Sequence, residues 1–118
     1  MLYTVVFFWY SQRVMITTPV QTKDEIYQIL SANRDRLRHY GVQRLGLFGS
    51  FVRHEQTPAS DVDLLVNFKP NQKKYSNFIG LTYFLEDAFK RQVEVVTPES
   101  LTVHLRPHIE KEVEYVFD

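Results

Sequence analysis

The chain has no cysteine. That excludes a disulfide framework and any thiolate metal site. It also fits a reducing compartment, so a cytoplasmic location is expected. Neither sign of charge is in excess: 14 Lys plus Arg stand against 14 Asp plus Glu. A balanced chain offers no footprint for duplex nucleic acid or an anionic membrane, and no direct nucleic-acid binding is expected. No apolar run is long enough to cross a bilayer, which takes about 20 residues. The opening "MLYTVVFFWY" is cut short by Ser11, Gln12 and Arg13. It also lacks the preceding positive charge and following small residues of a secretory signal. Val5, Val6 and the aromatics around them favour β structure. Three readings of this segment stand: an extra strand, a tail covered by a partner, or translated sequence ahead of a second start at Met15. Internal repeats and low-complexity segments are absent as well.

What remains is a chain of 118 residues, enough for one domain that buries about two-thirds of its unfolded surface. Residues 1–19 read as a hydrophobic N-terminal extension of unknown role and residues 20–118 as the domain. "TKDE" is a capping box, with Thr22 as cap and Glu25 three residues on. Ile26, Ile29, Leu30 and Leu37 follow at helical spacing and Gly41 supplies a stop, which predicts an amphipathic helix over 23–40. "VQRLGLF", 42–48, reads as a strand in which Gly46 marks close packing or a bulge. A short helix is expected over 50–55, a loop to Ser60, and a strand "DVDLLVNF" over 61–68. A long helix over 75–91 presents Phe78, Leu81, Leu85 and Phe89 on one face. "VEVVT" is a third strand, followed by a short helix around 107–113 and a last strand "EYVF". The fold class is therefore α/β (α+β), a small mixed sheet flanked by helices.

Two carboxylates interrupt the second strand. Side chains alternate along a strand, so Asp61 and Asp63 point the same way, about 7 Å apart at Cα. Unpaired, they would repel, each disfavouring ionisation of the other. Val62 and Leu64 pack inward, so the acids face solvent or a ligand at the edge of the core. A divalent cation compensates such a pair best, and all-oxygen donors suit Mg²⁺, which commonly takes one or two carboxylates plus substrate phosphates. Ten residues earlier stands Gly49-Ser50. A glycine lets a backbone approach a ligand closely. A serine at a helix start would offer free N–H groups and a hydroxyl to an anion. A triphosphate on that turn would carry its metal toward Asp61 and Asp63. Either half alone is common; joined as strand, Gly-Ser, short helix, loop and strand bearing D-x-D, they are far more specific.

"GSFVRHEQTPASDVD" resembles the G-S-x₁₀-D-x-D signature of polymerase-β-like nucleotidyltransferases. With "SDVDLLV" and "VEVVTPESL", residues 20–118 resemble the minimal nucleotidyltransferase family of HEPN-associated toxin–antitoxin systems. The resemblance implies a polymerase-β-like fold and an antitoxin that moves AMP from ATP to a tyrosine of a HEPN-domain RNase toxin, with which it would form a hetero-oligomer. It implies Gly49 and Ser50 as the phosphate-gripping pair, and Asp61 and Asp63 as metal ligands with one or two Mg²⁺. Glu94 matches the third acid, usually aspartate, and would orient or deprotonate the acceptor hydroxyl. Arg53 matches an arginine that can touch the phosphates. The chain has "VRHE" where the family often has "ARGE", so His54 stands in place of glycine and would narrow the turn. The alternatives are a binding module that neutralises its partner by occlusion and a transferase acting on a small molecule.

Other patterns carry less. Arg34 and His39 resemble the R-x₄-H motif of HEPN ribonucleases but fall on the polar side of a predicted helix. His104 and His108 are four apart, with Pro107 between them and no third ligand. Tyr75, Tyr83, Phe84 and Phe89 would leave an aromatic stripe for a partner.

Overall fold

A computed structural model describes residues 18–118. The three readings of residues 1–14 and the extension ahead of Thr18 therefore lie outside the described residues. Val20 is fully buried and donates its N–H to the carbonyl of Phe89 at 3.0 Å.

The Thr22 capping box forms as expected: the Thr22 hydroxyl accepts from the Glu25 N–H at 3.2 Å, and the Glu25 carboxylate accepts in return from the Thr22 N–H at 3.3 Å. It opens helix α1, Lys23–Ala32. The single helix expected over 23–40 is in fact two. At Asn33 the backbone leaves helical geometry (φ −119°, ψ 30°), and the Asn33 side-chain amide donates to the Ile29 carbonyl at 2.7 Å. An asparagine that satisfies a carbonyl with its own side chain competes with the helical ladder. Helix α2, Arg34–His39, then turns Leu37 back into the core.

Strands β1 (Val42–Phe48), β2 (Val62–Phe68), β3 (Val93–Val96) and β4 (Glu114–Phe117) form one sheet in the order β3-β2-β1-β4. β1 runs antiparallel to both β2 and β4, whereas β2 and β3 are parallel. A parallel pair needs a crossover, and helix α3, Tyr75–Phe89, makes it. A 3₁₀ turn at Pro98–Ser100 and helix α4, Arg106–Glu112, lead to β4. Gly46 meets both expectations: a Cβ there would sit 2.5 Å from Val113 and 2.9 Å from Tyr115, and the β1–β4 register shifts beside it.

The core lies between one sheet face and the helices. Val62, Leu64, Val66, Val93 and Val95 meet Ile26, Leu30, Leu81, Leu85 and Phe89 there. Because β side chains alternate, this burial turns Asp63 and Glu94 to the other face. The expected aromatic stripe is reduced: Phe89 is fully buried and Phe84 half-buried, leaving Tyr75 and Tyr83 exposed on α3.

Arg91 ties the ends of this framework together. Its Nε donates to the Val20 carbonyl at 2.7 Å, and its Nη1 donates to the carbonyls of Thr57, Pro58 and Ser60 at 3.0, 3.2 and 2.9 Å. Its guanidinium also lies 5.1 Å from the centre of the buried Phe51 ring. The loop leading into Asp61 is thus pinned by a residue that follows α3.

Helix α3 ends at Lys90, whose backbone is left-handed (φ 58°, ψ 35°) and whose N–H caps the Glu86 carbonyl. A residue with a Cβ pays for that conformation, whereas glycine does not. Its exposed contact with Asp87, at 3.4 Å, contributes little. Lys90→Gly should therefore raise the unfolding free energy by about 0.5–1 kcal/mol in urea titrations, and Lys90→Val should lower it.

Candidate active site

The site begins with strand register. Antiparallel pairing sets Phe48 opposite Asp63, and the chain then turns at Gly49 with φ +85°. The approach is so close that a Cβ on Gly49 would fall 2.2 Å from Oδ2 of Asp63. A side chain at this position would be strained by its φ and would collide with the carboxylate. The parallel β2–β3 ladder sets Asp63 beside Glu94. Asp61 stands one residue ahead of β2, on an exposed position.

These acids act on one another. The Asp63 carboxyl is pushed up from 3.8 to about 7, first by burial, then by the negative charges of Glu94 and Asp61 and by hydrogen bonding with Glu94. The positive charge of Arg53 pulls the other way without overcoming them. Such a group of mutually opposed carboxylates needs positive charge from elsewhere. Among the described residues, no group of three His, Cys, Asp or Glu side chains is placed to hold a metal ion by itself, so a cation here would draw further oxygens from substrate phosphates or water. The donor set is all oxygen and under-compensated, which fits a hard divalent cation such as Mg²⁺.

The expected helix opening at Ser50 is not there. Residues 50–54 form successive turns, with the Gly49 carbonyl accepting from Val52 and Arg53 at 3.1 and 3.3 Å and the Ser50 carbonyl accepting from Glu55 at 2.9 Å. The helix-dipole contribution expected at Ser50 is accordingly lost. Its hydroxyl makes no hydrogen bond among the described residues and is half-exposed. His54 takes the left-handed backbone (φ 59°) that a glycine would adopt freely. The substitution thus keeps the turn at the cost of local strain.

Arg53 is anything but a solvated bystander. Its Nε donates to Glu55 at 3.0 Å and its Nη1 to Glu112 at 2.6 Å. Glu112 was invisible to motif reasoning, as was Arg91. Both act across long sequence separations, on backbone atoms as well as on side chains, and nothing in local spacing announces them. The histidine and arginine decoys stay peripheral: His104, His108, Arg34 and His39 are exposed.

A glycine-serine turn against a strand that carries one aspartate and follows directly on another, with a third acid on the neighbouring parallel strand, is the arrangement of a nucleotidyltransferase site. The comparisons agree. A family model for the nucleotidyltransferase domain matches residues 26–116. The protein adenylyltransferase MntA of Thermococcus cleftensis is 40% identical over 98 residues, covering 80% of this chain and 96% of the relative. Among solved structures, one assigned as a minimal nucleotidyltransferase superposes with a TM-score of 0.62 at 28% identity, covering 75% of this chain and 93% of its own. A toxin–antitoxin crystal structure with AMP-PNP shares the fold at a TM-score of 0.61 and 22% identity, covering 82% of this chain and 73% of its own. The chain belongs to the nucleotidyltransferase domain family, in its minimal, protein adenylyltransferase branch. It is an enzyme of that kind.

The raised Asp63 carboxyl has a consequence for stability. The folded state holds this proton more tightly than the unfolded chain does, so folding loses stability as pH rises from about 4 to about 7. In metal-free buffer the melting temperature should fall across that window. Asp63→Asn should lack this part of the fall and should melt above the parent at pH 8, while matching it more closely near pH 5.

Proposed function

We propose that the protein is a magnesium-dependent antitoxin that transfers AMP from ATP to a tyrosine of a HEPN-domain RNase toxin. The observation that carries the reading is the acid cluster around Asp63, set against a Gly49 turn with no room for a side chain and facing the charge of Arg53. A pure binding module has no use for carboxylates that oppose one another's ionisation. The AMP-PNP in a related toxin–antitoxin structure and the adenylyltransferase relative support ATP as donor and a toxin as partner.

Asp61, Asp63 and Glu94 would hold the cation. When bound, Mg²⁺ would neutralise phosphate charge and favour in-line displacement at the α-phosphate. The tyrosine oxygen forms a bond to that phosphorus, the bond to the β-phosphate breaks, and pyrophosphate leaves. Glu94 orients the phenol and takes its proton, because a tyrosine with a pKa near 10 is a poor nucleophile at neutral pH. Ser50 offers its hydroxyl and Arg53 its remaining guanidinium donors to the triphosphate. Gly49 leaves the space that these groups need. A phenolic oxygen carrying AMP adds bulk and negative charge where an RNase must bind RNA phosphate, which blocks the toxin.

The test pairs the intact protein with a variant carrying Asp61→Asn and Asp63→Asn. With the toxin, ATP and Mg²⁺, the parent should add one or a few AMP groups. The toxin should then stay inactive after the antitoxin is removed. The variant should fold but transfer nothing, and Mg²⁺ should raise the melting temperature of the parent only. A toxin of unchanged mass that regains full RNase activity would establish occlusion instead.

A further inference from the structure

Glu112 closes helix α4 immediately ahead of β4, and its carboxylate reaches two parts of the nucleotide turn. Oε2 accepts the Gly49 N–H at 2.7 Å and Oε1 accepts Arg53 Nη1 at 2.6 Å. The first bond has a topological logic. In the β1–β4 ladder Leu47 stands opposite Glu114. Continuing that antiparallel register by two residues sets Gly49 opposite Glu112. There the backbone of Glu112 is still helical, so its carbonyl cannot serve the ladder. The side chain supplies the acceptor in its place.

Gly49 is thereby held from both flanks. The edge that would carry a Cβ faces Asp63, and the N–H faces Glu112. The second bond fixes Arg53. With Nε on Glu55 and Nη1 on Glu112, its Nη2 makes no hydrogen bond among the described residues. The guanidinium is a rigid fork, so holding two of its nitrogens aims the third. The positive charge of Arg53 also acts on the Asp63 carboxyl, lowering its pKa.

We propose that Glu112 is a positioning residue for the triphosphate: it sets the Gly49 turn and aims Arg53, and touches no reacting atom. This inference rests on the nucleotidyltransferase reading and adds to it a residue from the opposite edge of the sheet. A carboxylate is required there, because one oxygen must serve the backbone while the other carries charge for the arginine. Glutamine can keep the bond to Gly49 but pairs weakly with a cation. Alanine loses both.

The probes are fluorescent analogues of ATP and AMP, titrated with Mg²⁺ into the full chain. Glu112→Ala should weaken ATP binding roughly tenfold and Glu112→Gln by a lesser factor. AMP, which lacks the β- and γ-phosphates, should bind both variants as it binds the parent. In a cycle with Arg53→Ala, adding Glu112→Ala should cost clearly less than it does alone, since the arginine it aims is gone. The Gly49 amide proton should move upfield in the alanine variant and stay closer to its parental shift in the glutamine variant. A parent that binds ATP with Glu112→Ala binding it equally well would overturn the assignment. So would equal losses for ATP and AMP, or full additivity in the cycle. Tighter ATP binding in Glu112→Ala would do so too, since it would make Glu112 an anion competing for the phosphate place. A parent that binds no nucleotide would instead overturn the functional reading on which the assignment rests.

Discussion

The site depends on the absence of one methyl group. Gly49 and the Asp63 carboxylate share a space that a Cβ would fill, since it would come within 2.2 Å of Oδ2. The antiparallel register of β1 on β2 imposes this approach, because Phe48 pairs with Asp63 and the chain must turn immediately afterwards. The left-handed φ of +85° at Gly49 is the backbone form of the same constraint. Turn and acid are thus parts of one strand junction.

Around this junction the protein carries electrostatic strain. Asp63 is half-buried between Glu94 and Asp61, and among the described residues the charge of Arg53 offsets them in part. The opposite face of the same strands offers no such conflict. Val62, Leu64, Val66, Val93 and Val95 pack against the helices and provide the apolar burial that holds the acids in place. Along β2 and β3 the apolar pairs Val62–Val93 and Leu64–Val95 stabilise, while the Asp63–Glu94 pair between them opposes. Arg91 adds rigidity by joining the loop before Asp61 to the start of the domain through backbone carbonyls. A reactive centre of this kind needs a stiff support, because the charges would otherwise drift apart.

Much of this was legible in the sequence, for reasons that can be named. The alternation in "DVDLLV" gave the inward face of Val62 and Leu64 and the outward one of Asp63, and the capping box gave the start of α1. Gly46 announced both the close packing and the irregular register. Three things escaped. Asn33 interrupts α1 through a side-chain bond to its own helix, which helical periodicity does not weigh. The turn after Gly49 fails to become a helix and His54 ends it in left-handed geometry, a choice made by strand junctions on either side. Glu112 and Arg91 act at a distance in the chain, so only the fold brings them to the turn and the loop. The strands and the Thr22 cap follow from local pattern; the break at Asn33 and the turn after Gly49 do not, and Glu112 and Arg91 need the topology.

The sheet order gives one more consequence. Among the described residues β3, which carries Glu94, is a four-residue strand at the sheet's edge, paired there on one side only. Edge strands of this length detach at lower free energy than central ones. Here the detachment also separates Glu94 from Asp63 and relieves their repulsion. Breathing of the metal-free domain is thus biased toward that edge, where backbone amides should exchange with solvent ahead of those in β1 and β2. A cation shared by the two acids would tie the edge down. Ordering of the enzyme's rim and loading of its site would then be the same event.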